Sequence, residues 1–295
     1  MRYEIVVASG KGGTGKTFIA SNLAYFLNNF VDNVLAIDAD VEAPDLLIAL
    51  GDMKKIIYKS AYYGSEVPIV DYKRCIRCWR CKEACKFDAI FKGDKGPIID
   101  YDRCEGLGVC SLVCPSGAIR FKPRKTGEII VGYSTYDIPV ITGELELGGR
   151  NSGRLVYELK KRAYELTSKL NASYIVVDAA PGIGCPVVSS LAGADIVIVV
   201  VEPSPQSVKG ARRLINLANE LNVTPLLILN KYDLYPGYSE KIPHLLNIKT
   251  LGRISYNEIV VNAYTSMVPV LKLSIDSEIS QELIACFNKL LEELK

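Results

Sequence analysis

No charge of one sign dominates this chain: 35 lysines and arginines face 33 aspartates and glutamates, a formal net charge of +2 over 295 residues. Such a balance argues against a partner held by bulk electrostatics, so neither nucleic acid nor a membrane surface is expected. Apolar runs long enough to span a membrane are also missing. The opening residues, MRYEIVVASGKGG, run straight into a strand and a glycine loop, and no basic segment followed by an apolar one precedes them. A terminal stretch ending in LEELK lacks the basic face of a helix that lies on lipid. A cytoplasmic location is therefore expected. Histidine is nearly absent, and the single one, His244 after Pro243, is given no role.

Cysteine, by contrast, is plentiful, with nine in the chain. In a reducing compartment clustered thiols hold metal more often than they form disulfides. Seven of the nine lie between Cys75 and Cys114, while Cys185 and Cys286 stand apart. Cys286 falls in the apolar-periodic stretch EISQELIACFNKLLEELK and reads as a small core residue.

A length of 295 residues suits one or two domains at roughly 150 residues each. Short β-branched runs, YEIVVAS, NVLAID, YIVVDA, DIVIVVVE and TPLLILN, read as buried strands. Helical segments are expected between them near 15–29, 152–170, 185–193 and 205–220. The last has Ser204 as N-cap and Pro205 at its first position. The pattern is that of a parallel α/β sheet. Between about 68 and 125 the rhythm breaks, so an α/β core over 1–67 and 126–295 is expected, with a small inserted domain over 68–125.

GKGGTGKT, Gly10 to Thr17, fits G-x-x-x-x-G-K-S/T and lies between an apolar strand and a helical segment, the setting that the motif requires. In such a loop Gly10, Gly12, Gly13, Thr14 and Gly15 turn backbone N–H groups around phosphate oxygens. Lys16 then reaches the β- and γ-phosphates, and the Thr17 hydroxyl takes a place on Mg2+. IDAD puts Asp38 and Asp40 at the end of the second strand, alternate residues on one side of the backbone. IVVDAAPG ends another strand at Asp178, a carboxylate suited to hold Mg2+ through water.

The second lysine of the loop, Lys11, gives KGGTGKT, which resembles the deviant Walker A loop of the ParA, MinD and nitrogenase iron protein group of ATPases. The resemblance implies that Lys11 reaches the partner's nucleotide across an ATP-dependent homodimer. It also implies that Asp38 and Asp40 position water and couple to magnesium, and that Pro181-Gly182 acts as a switch II turn. LILNKYD offers Asn230, which resembles the adenine contact of the MinD-like group, and Asp233, the acceptor of a guanine-reading N-K-x-D. ATP is favoured over GTP. PGIGCP places Cys185 seven residues after Asp178 (185 − 178 = 7), a spacing similar to that of the nitrogenase iron protein's cluster cysteine. LGGRNSG supplies no second cysteine, so a structural thiol is the favoured reading.

PIVDYKRCIRCWRCKEACKFDAI from Pro68 repeats as PIIDYDRCEGLGVCSLVCPSGAI from Pro97, an offset of 97 − 68 = 29 residues. Cys75, Cys78, Cys81 and Cys85 map onto Cys104, Leu107, Cys110 and Cys114. The spacing C-x2-C-x2-C-x3-C resembles the bacterial two-cluster ferredoxin, in which the fourth cysteine of each run serves the other run's cluster. That resemblance implies one four-iron (4Fe–4S) cluster on Cys75, Cys78, Cys81 and Cys114. A second site on Cys104, Cys110 and Cys85 has only three thiolates, because Leu107 offers none. It is expected to hold a three-iron (3Fe–4S) cluster, or a four-iron cluster with one iron bound otherwise. Zinc is the competing metal, and Lys86 departs from the pattern by replacing the proline expected after Cys85.

The whole chain resembles the MinD-superfamily P-loop ATPases that carry an inserted ferredoxin domain. The leading expectation is an ATPase whose nucleotide state is coupled to electron transfer, or to docking of an unidentified redox or client protein. An iron–sulfur carrier or scaffold, and a MinD-like positioning or adaptor protein with structural clusters, are the alternatives.

Overall fold

The computed structural model describes residues 2–149 and 151–294. The expected domain limits at Met1 and Lys295, and Arg150 of the LGGRNSG stretch, lie outside these residues.

Among the described residues thirteen strands form in chain order. The first seven are β1 (Tyr3–Ala8), β2 (Val34–Ala39), β3 (Met53–Tyr62), β4 (Ser65–Val70), β5 (Ile90–Gly93), β6 (Gly96–Ile99) and β7 (Ile119–Arg124). They are followed by β8 (Gly127–Ser134), β9 (Pro139–Leu145), β10 (Tyr174–Ala179), β11 (Ile196–Val201), β12 (Thr224–Asn230) and β13 (Lys249–Ile254). Nine of these make one sheet in the order β13-β12-β11-β1-β10-β2-β9-β8-β3. Pairing is parallel from β13 through β9.

All five strands expected from apolar runs are present. β1, β2, β10 and β11 are almost wholly buried, as continuous β-branched runs covered on both faces must be. Each fully buried Ile or Val contributes on the order of 1.5–3 kcal/mol. The strands that apolar runs did not reveal are less protected. β3, MKKIIYKSAY, is mostly exposed, and β13, KTLGRI, carries charge at both ends and a glycine within.

The helix Pro205–Glu220 starts as its sequence predicts, with Ser204 Oγ accepting from the Ser207 N–H at 3.2 Å. Helices Lys16–Phe30 and Glu278–Glu293 lie in the same apolar core, which buries Leu23, Leu27, Leu283 and Phe287 completely. Cys286 is 1 % exposed in that core, and burial pushes its thiol up to about 12. Among the described residues no helix is long and apolar enough to cross a membrane.

The chain divides into two compact units, one of Met1–Ser60, Ile129–Glu144 and Ser152–Lys295, the other of Ala61–Glu128 and Leu145–Asn151. The second unit therefore takes in a return segment, 145–151, that lies outside the 68–125 expected from the repeat.

Inside that unit β4 pairs with β7 and β5 with β6, both antiparallel. The 29-residue repeat appears in these pairings as a two-fold exchange. Val70 opposes Ile119, and their counterparts Ile99 and Ile90 oppose each other. Tyr72 donates its hydroxyl to Pro97 O and Tyr101 donates its own to Pro68 O. Asp71 N donates to Ala118 O and Asp100 N to Ala89 O, each at 2.8 Å. Two copies too short to bury a core alone share one, in which Cys81, Ile90 and Ile119 are buried.

Candidate functional site

The loop after β1 enters the helix Lys16–Phe30 through Gly15, whose φ of 96° is open to glycine and strained for other residues. A Cβ there would also overlap Asn230 Nδ2. The result is a helix N-terminus with free N–H groups facing a cavity of about 460 Å3. Gly12, Gly13, Gly15, Lys16 and Thr17 line it.

Gly10 does not line the cavity. A Cβ on it would collide with the backbone of Gly210, so it serves close packing of the loop on the helix Pro205–Glu220. Thr14 is fully buried, and its Oγ1 has no hydrogen-bond partner. The turn at Pro181-Gly182 is tied to the start of the loop by Gly182 N donating to Ser9 O at 2.9 Å.

Three carboxylates stand at the strand ends, and their environments separate them. Asp178 and Asp38 are in register on the adjacent strands β10 and β2. Both are buried. Burial pushes Asp178 up to about 7, with Lys16 and the Thr17 hydroxyl pulling the other way. Burial, then the neighbouring Asp178, hold Asp38 well above the ordinary carboxylate range. Asp178 Oδ1 has no hydrogen-bond partner. An orphaned oxygen and a raised carboxyl beside the Thr17 hydroxyl fit a site meant for a cation.

Asp38 accepts from Leu46 N at 2.9 Å and from Asp40 N at 3.3 Å, which fixes the chain after β2. It does not line the cavity, whereas Asp40 does. Alternation suggested that both carboxylates face the loop, but Asp38 points into backbone donors.

Lys11 pairs within its own chain, Nζ lying 2.6 Å from Glu202 Oε1. Glu202 also meets Lys231 Nζ at 3.4 Å, and Lys231 donates to Gly13 O at 2.9 Å. Burial raises the Glu202 carboxyl, but the hydrogen bond from Lys11 and the two lysine charges outweigh it and the net effect is a lowering. Asn230 is 4 % exposed and donates to Thr14 O at 2.8 Å, so it braces the loop while lining the cavity. Asp233 is absent from the lining, and its Oδ1 accepts from Tyr256 N at 2.6 Å.

Sequence reasoning passed over Glu202, Lys231, Gly210 and Tyr264. The first two stand at the ends of quoted strands, DIVIVVVE and LILNKYD. Nothing in the sequence marks Tyr264, which lines the cavity from the helix Glu258–Thr265 and bonds to Thr17.

In the cysteine unit the thiols fall into two groups. Cys75, Cys78, Cys81 and Cys114 line a space of about 20 Å3, and Cys85, Cys104 and Cys110 line a cavity of about 330 Å3. Burial, then the nearby Cys104, push the Cys110 thiol up to about 11. Burial also raises Cys114, but hydrogen bonds from Ser116 and the Ala118 N–H more than offset it.

Among the described residues no group of three or more His, Cys, Asp or Glu is placed to hold a metal ion. The seven cysteines expected as ligands thus surround two spaces without converging on one point in either. Cys185 is exposed at the start of the helix Cys185–Leu191 and joins neither group.

The chain matches the family model described as the CobQ/CobB/MinD/ParA nucleotide binding domain over residues 5–270. The uncharacterized protein MJ0578 of Methanocaldococcus jannaschii is 37 % identical over 235 residues, 77 % of this chain and 78 % of that one. The uncharacterized ATP-binding protein MJ0823 of the same organism is 24 % identical over 293 residues, 97 % of each chain. Among solved structures, the septum site-determining protein MinD complexed with Mg-ADP from Pyrococcus horikoshii superposes with a TM-score of 0.64 at 18 % identity, covering 100 % of this chain and 98 % of that one. This last likeness is one of fold.

Proposed function

The chain belongs to the CobQ/CobB/MinD/ParA nucleotide-binding family, and from that premise we propose a Mg2+-dependent ATPase whose nucleotide state governs electron flow through iron–sulfur clusters in its cysteine unit, or the docking of a redox partner. One observation carries the proposal. A P-loop cavity lined by Gly12, Gly13, Gly15, Lys16 and Thr17 occurs in the same chain as seven cysteines gathered around two spaces.

ATP is the nucleotide of choice, because Asp233 is committed to the Tyr256 N–H and absent from the cavity lining while Asn230 is part of it. A relative named as ATP-binding and a fold neighbour complexed with Mg-ADP support the same choice. The loop N–H groups and Lys16 hold the phosphates, and Thr17 with Asp178 hold Mg2+. Asp40, the strand-end carboxylate that lines the cavity, positions the attacking water. Lys11 leaves Glu202 to meet the nucleotide of a second copy, which makes the dimer ATP-dependent.

The cysteine unit is read as a ferredoxin-like insert over 68–125, with a four-iron cluster on Cys75, Cys78, Cys81 and Cys114. A three-iron cluster is the first choice for Cys85, Cys104 and Cys110. Each thiolate of a cluster binds its own iron, so the sulfurs ring a space, whereas zinc draws four donors onto one ion. The support for clusters is the cysteine spacing of the two runs and its resemblance to two-cluster ferredoxins. When bound, the clusters supply one-electron transfer, and the chain's own part is to hold and cover them. Such clusters belong in a reducing, cytoplasmic compartment.

The test is anaerobic purification followed by iron and sulfide analysis, Mg-ATP turnover, and cluster potentials with and without ATP. Slow hydrolysis, about seven irons per chain and potentials that move with ATP are expected. Potentials indifferent to ATP would sink the coupling.

A further inference from the structure

The repeat sets one backbone path under two sets of side chains. Arg77, Trp79 and Asp88 hold φ of 55°, 62° and 48°, and their counterparts 29 residues on, Gly106, Gly108 and Gly117, hold 71°, 83° and 58°. With the path held in common, the charges it carries compare position by position. The stretch from Lys73 to Lys86 holds Lys73, Arg74, Arg77, Arg80, Lys82 and Lys86 against Glu83 alone, 6 − 1 = +5. Its counterpart, 102–115, holds Arg103 against Asp102 and Glu105, 1 − 2 = −1. Over the whole copies the balance is 8 − 4 = +4 for 68–96 and 5 − 3 = +2 for 97–125, so the excess of the first copy is gathered on that loop.

The two copies also differ in pairing. In the second, Arg103 lies 3.3 Å from Asp100, Arg124 lies 3.7 Å from Asp102, and Lys125 lies 2.8 Å from Glu128. In the first, all six cations of the loop are exposed, and among the described residues none forms an ion pair with a carboxylate. Asp71, the counterpart of Asp100, accepts from the Lys73 N–H at 3.0 Å and makes no such pair with Arg74. The hairpin of β5 and β6 adds to the same face. Arg77 Nη1 donates to Asp94 O at 3.5 Å and Lys92 Nζ stands 5.4 Å from the centroid of the Trp79 ring, so the hairpin that carries Lys92 and Lys95, both exposed, lies against the loop. Ile76 and Phe87 are exposed among these cations, at 64 % and 42 %. Arginine interleaved with exposed apolar side chains is the make-up of a protein interface.

We propose that the loop of the first cysteine run, with the hairpin beside it, is a docking face for a protein partner that presents clustered carboxylates around an apolar centre. The inference rests on the docking reading above and deepens it by naming the partner's chemistry, and it needs no metal at the cysteines. Exposed cations without carboxylates repel one another, and an opposed acidic face relieves that repulsion while steering the encounter. Nucleic acid fits less well, since Trp79, the ring among these cations, lines the four-thiol space and carries Lys92 instead of offering a free face to a base. Lipid also fits less well, because the helices of the two runs, Arg80–Ala84 and Val109–Leu112, have five and four residues and present no amphipathic face.

The test uses the full chain, purified without oxygen and free of nucleotide, with a random copolymer of glutamate and a minority of tyrosine as the probe. It is titrated by calorimetry in about 0.1 M salt, where charges interact over about 10 Å. Saturable binding that weakens as salt is raised is expected. Arg80→Glu with Lys82→Glu, at two exposed positions, should weaken it about tenfold or more. Arg120→Glu with Lys122→Glu, two exposed cations of the second copy, alters the net charge equally and should weaken it about twofold at most. Arg80→Gln with Lys82→Gln should fall between the two, and it keeps the face testable if the reversed charges disturb folding. No binding by the parent chain, or equal losses in the two glutamate variants, would overturn the face. Tighter binding of the parent to oligothymidylate or to phosphatidylserine vesicles than to the copolymer, lost in the Arg80–Lys82 variants, would overturn the protein partner. The titration reads neither iron nor nucleotide, so its failure leaves the ATPase and iron–sulfur readings in place, and potentials indifferent to ATP leave the docking face in place.

Discussion

The nucleotide cavity and the cysteine unit are both built on unusual backbone, but they use it differently. Around the P-loop the backbone is itself the binding device: N–H groups at the mouth of the helix Lys16–Phe30, held open by Gly15 and packed through Gly10 against Gly210. In the cysteine unit the left-handed positions recur in both copies, yet the two spaces differ in donors and in volume because side chains differ. A backbone-built site resists loss of a side chain and fails when its packing is disturbed. A side-chain-built site keeps its shape while its chemistry is deleted, and the loop carrying Leu107 is such a case.

The largest expected effect separates the two regions outright. Lys16→Ala should lower ATP turnover by about 100- to 1000-fold, since it removes a positive charge aimed at the transferred phosphate. Iron and sulfide per chain should stay at the parent level. Loss of iron in this variant would show that the two regions do not fail independently. Asp40→Ala should also depress turnover while leaving nucleotide binding in place, as calorimetric titration would report.

Next comes pH. Asp178 has a folded pKa pushed up to about 7 by burial, well above its unfolded value, so the native chain binds the extra proton. Its contribution is present at low pH and is lost as pH rises through about 7, and Asp38 acts in the same direction. The melting temperature of the Mg2+-free, nucleotide-free chain should fall between about pH 5 and about pH 8, by stability on the order of 3 kcal/mol. Asp178→Asn should flatten that slope. An unchanged slope would place the titration elsewhere.

A smaller effect tests the backbone claim. Gly10→Ala should destabilise the chain by about 2 kcal/mol through overlap with Gly210, whereas Gly12→Ala, with nothing within 4 Å of the new carbon, should not. Equal denaturant midpoints for the two variants would refute loop packing as the reason for Gly10.

The smallest concerns the Lys11–Glu202 pair, whose partners remain 26 % and 19 % exposed and so hold each other by about 1 kcal/mol at most. Glu202→Gln should lower the ATP concentration needed for dimerisation several-fold in sedimentation. No shift would mean that the pair does not restrain Lys11.

Much of this was legible in local patterns. Continuous β-branched runs marked β1, β2, β10, β11 and β12, and Ser204-Pro205 marked a helix start, because strand burial and capping depend on neighbours in sequence. The exposed β3 and the short β13 were not legible, since their pairing depends on strands far along the chain. The grouping of Cys114 with the first cysteine run and of Cys85 with the second was implied by the resemblance to two-cluster ferredoxins; in the fold Cys114 lines the space of the first run and Cys85 that of the second. The two aspartates of IDAD looked equivalent by alternation. The chain after β2 then turns, giving Asp38 to backbone donors and Asp40 to the cavity.

By itself the sequence determined the P-loop, the five buried core strands and the missing thiolate at Leu107. These are matters of residue identity and short-range spacing, which no later packing alters. Only the tertiary structure decided that Gly10 meets Gly210, that Lys11 rests on Glu202, and that three thiols line a cavity of about 330 Å3 while four line a space of about 20 Å3. Each depends on atoms many residues apart coming within van der Waals or hydrogen-bond range, and contact at that distance is a property of the folded chain alone.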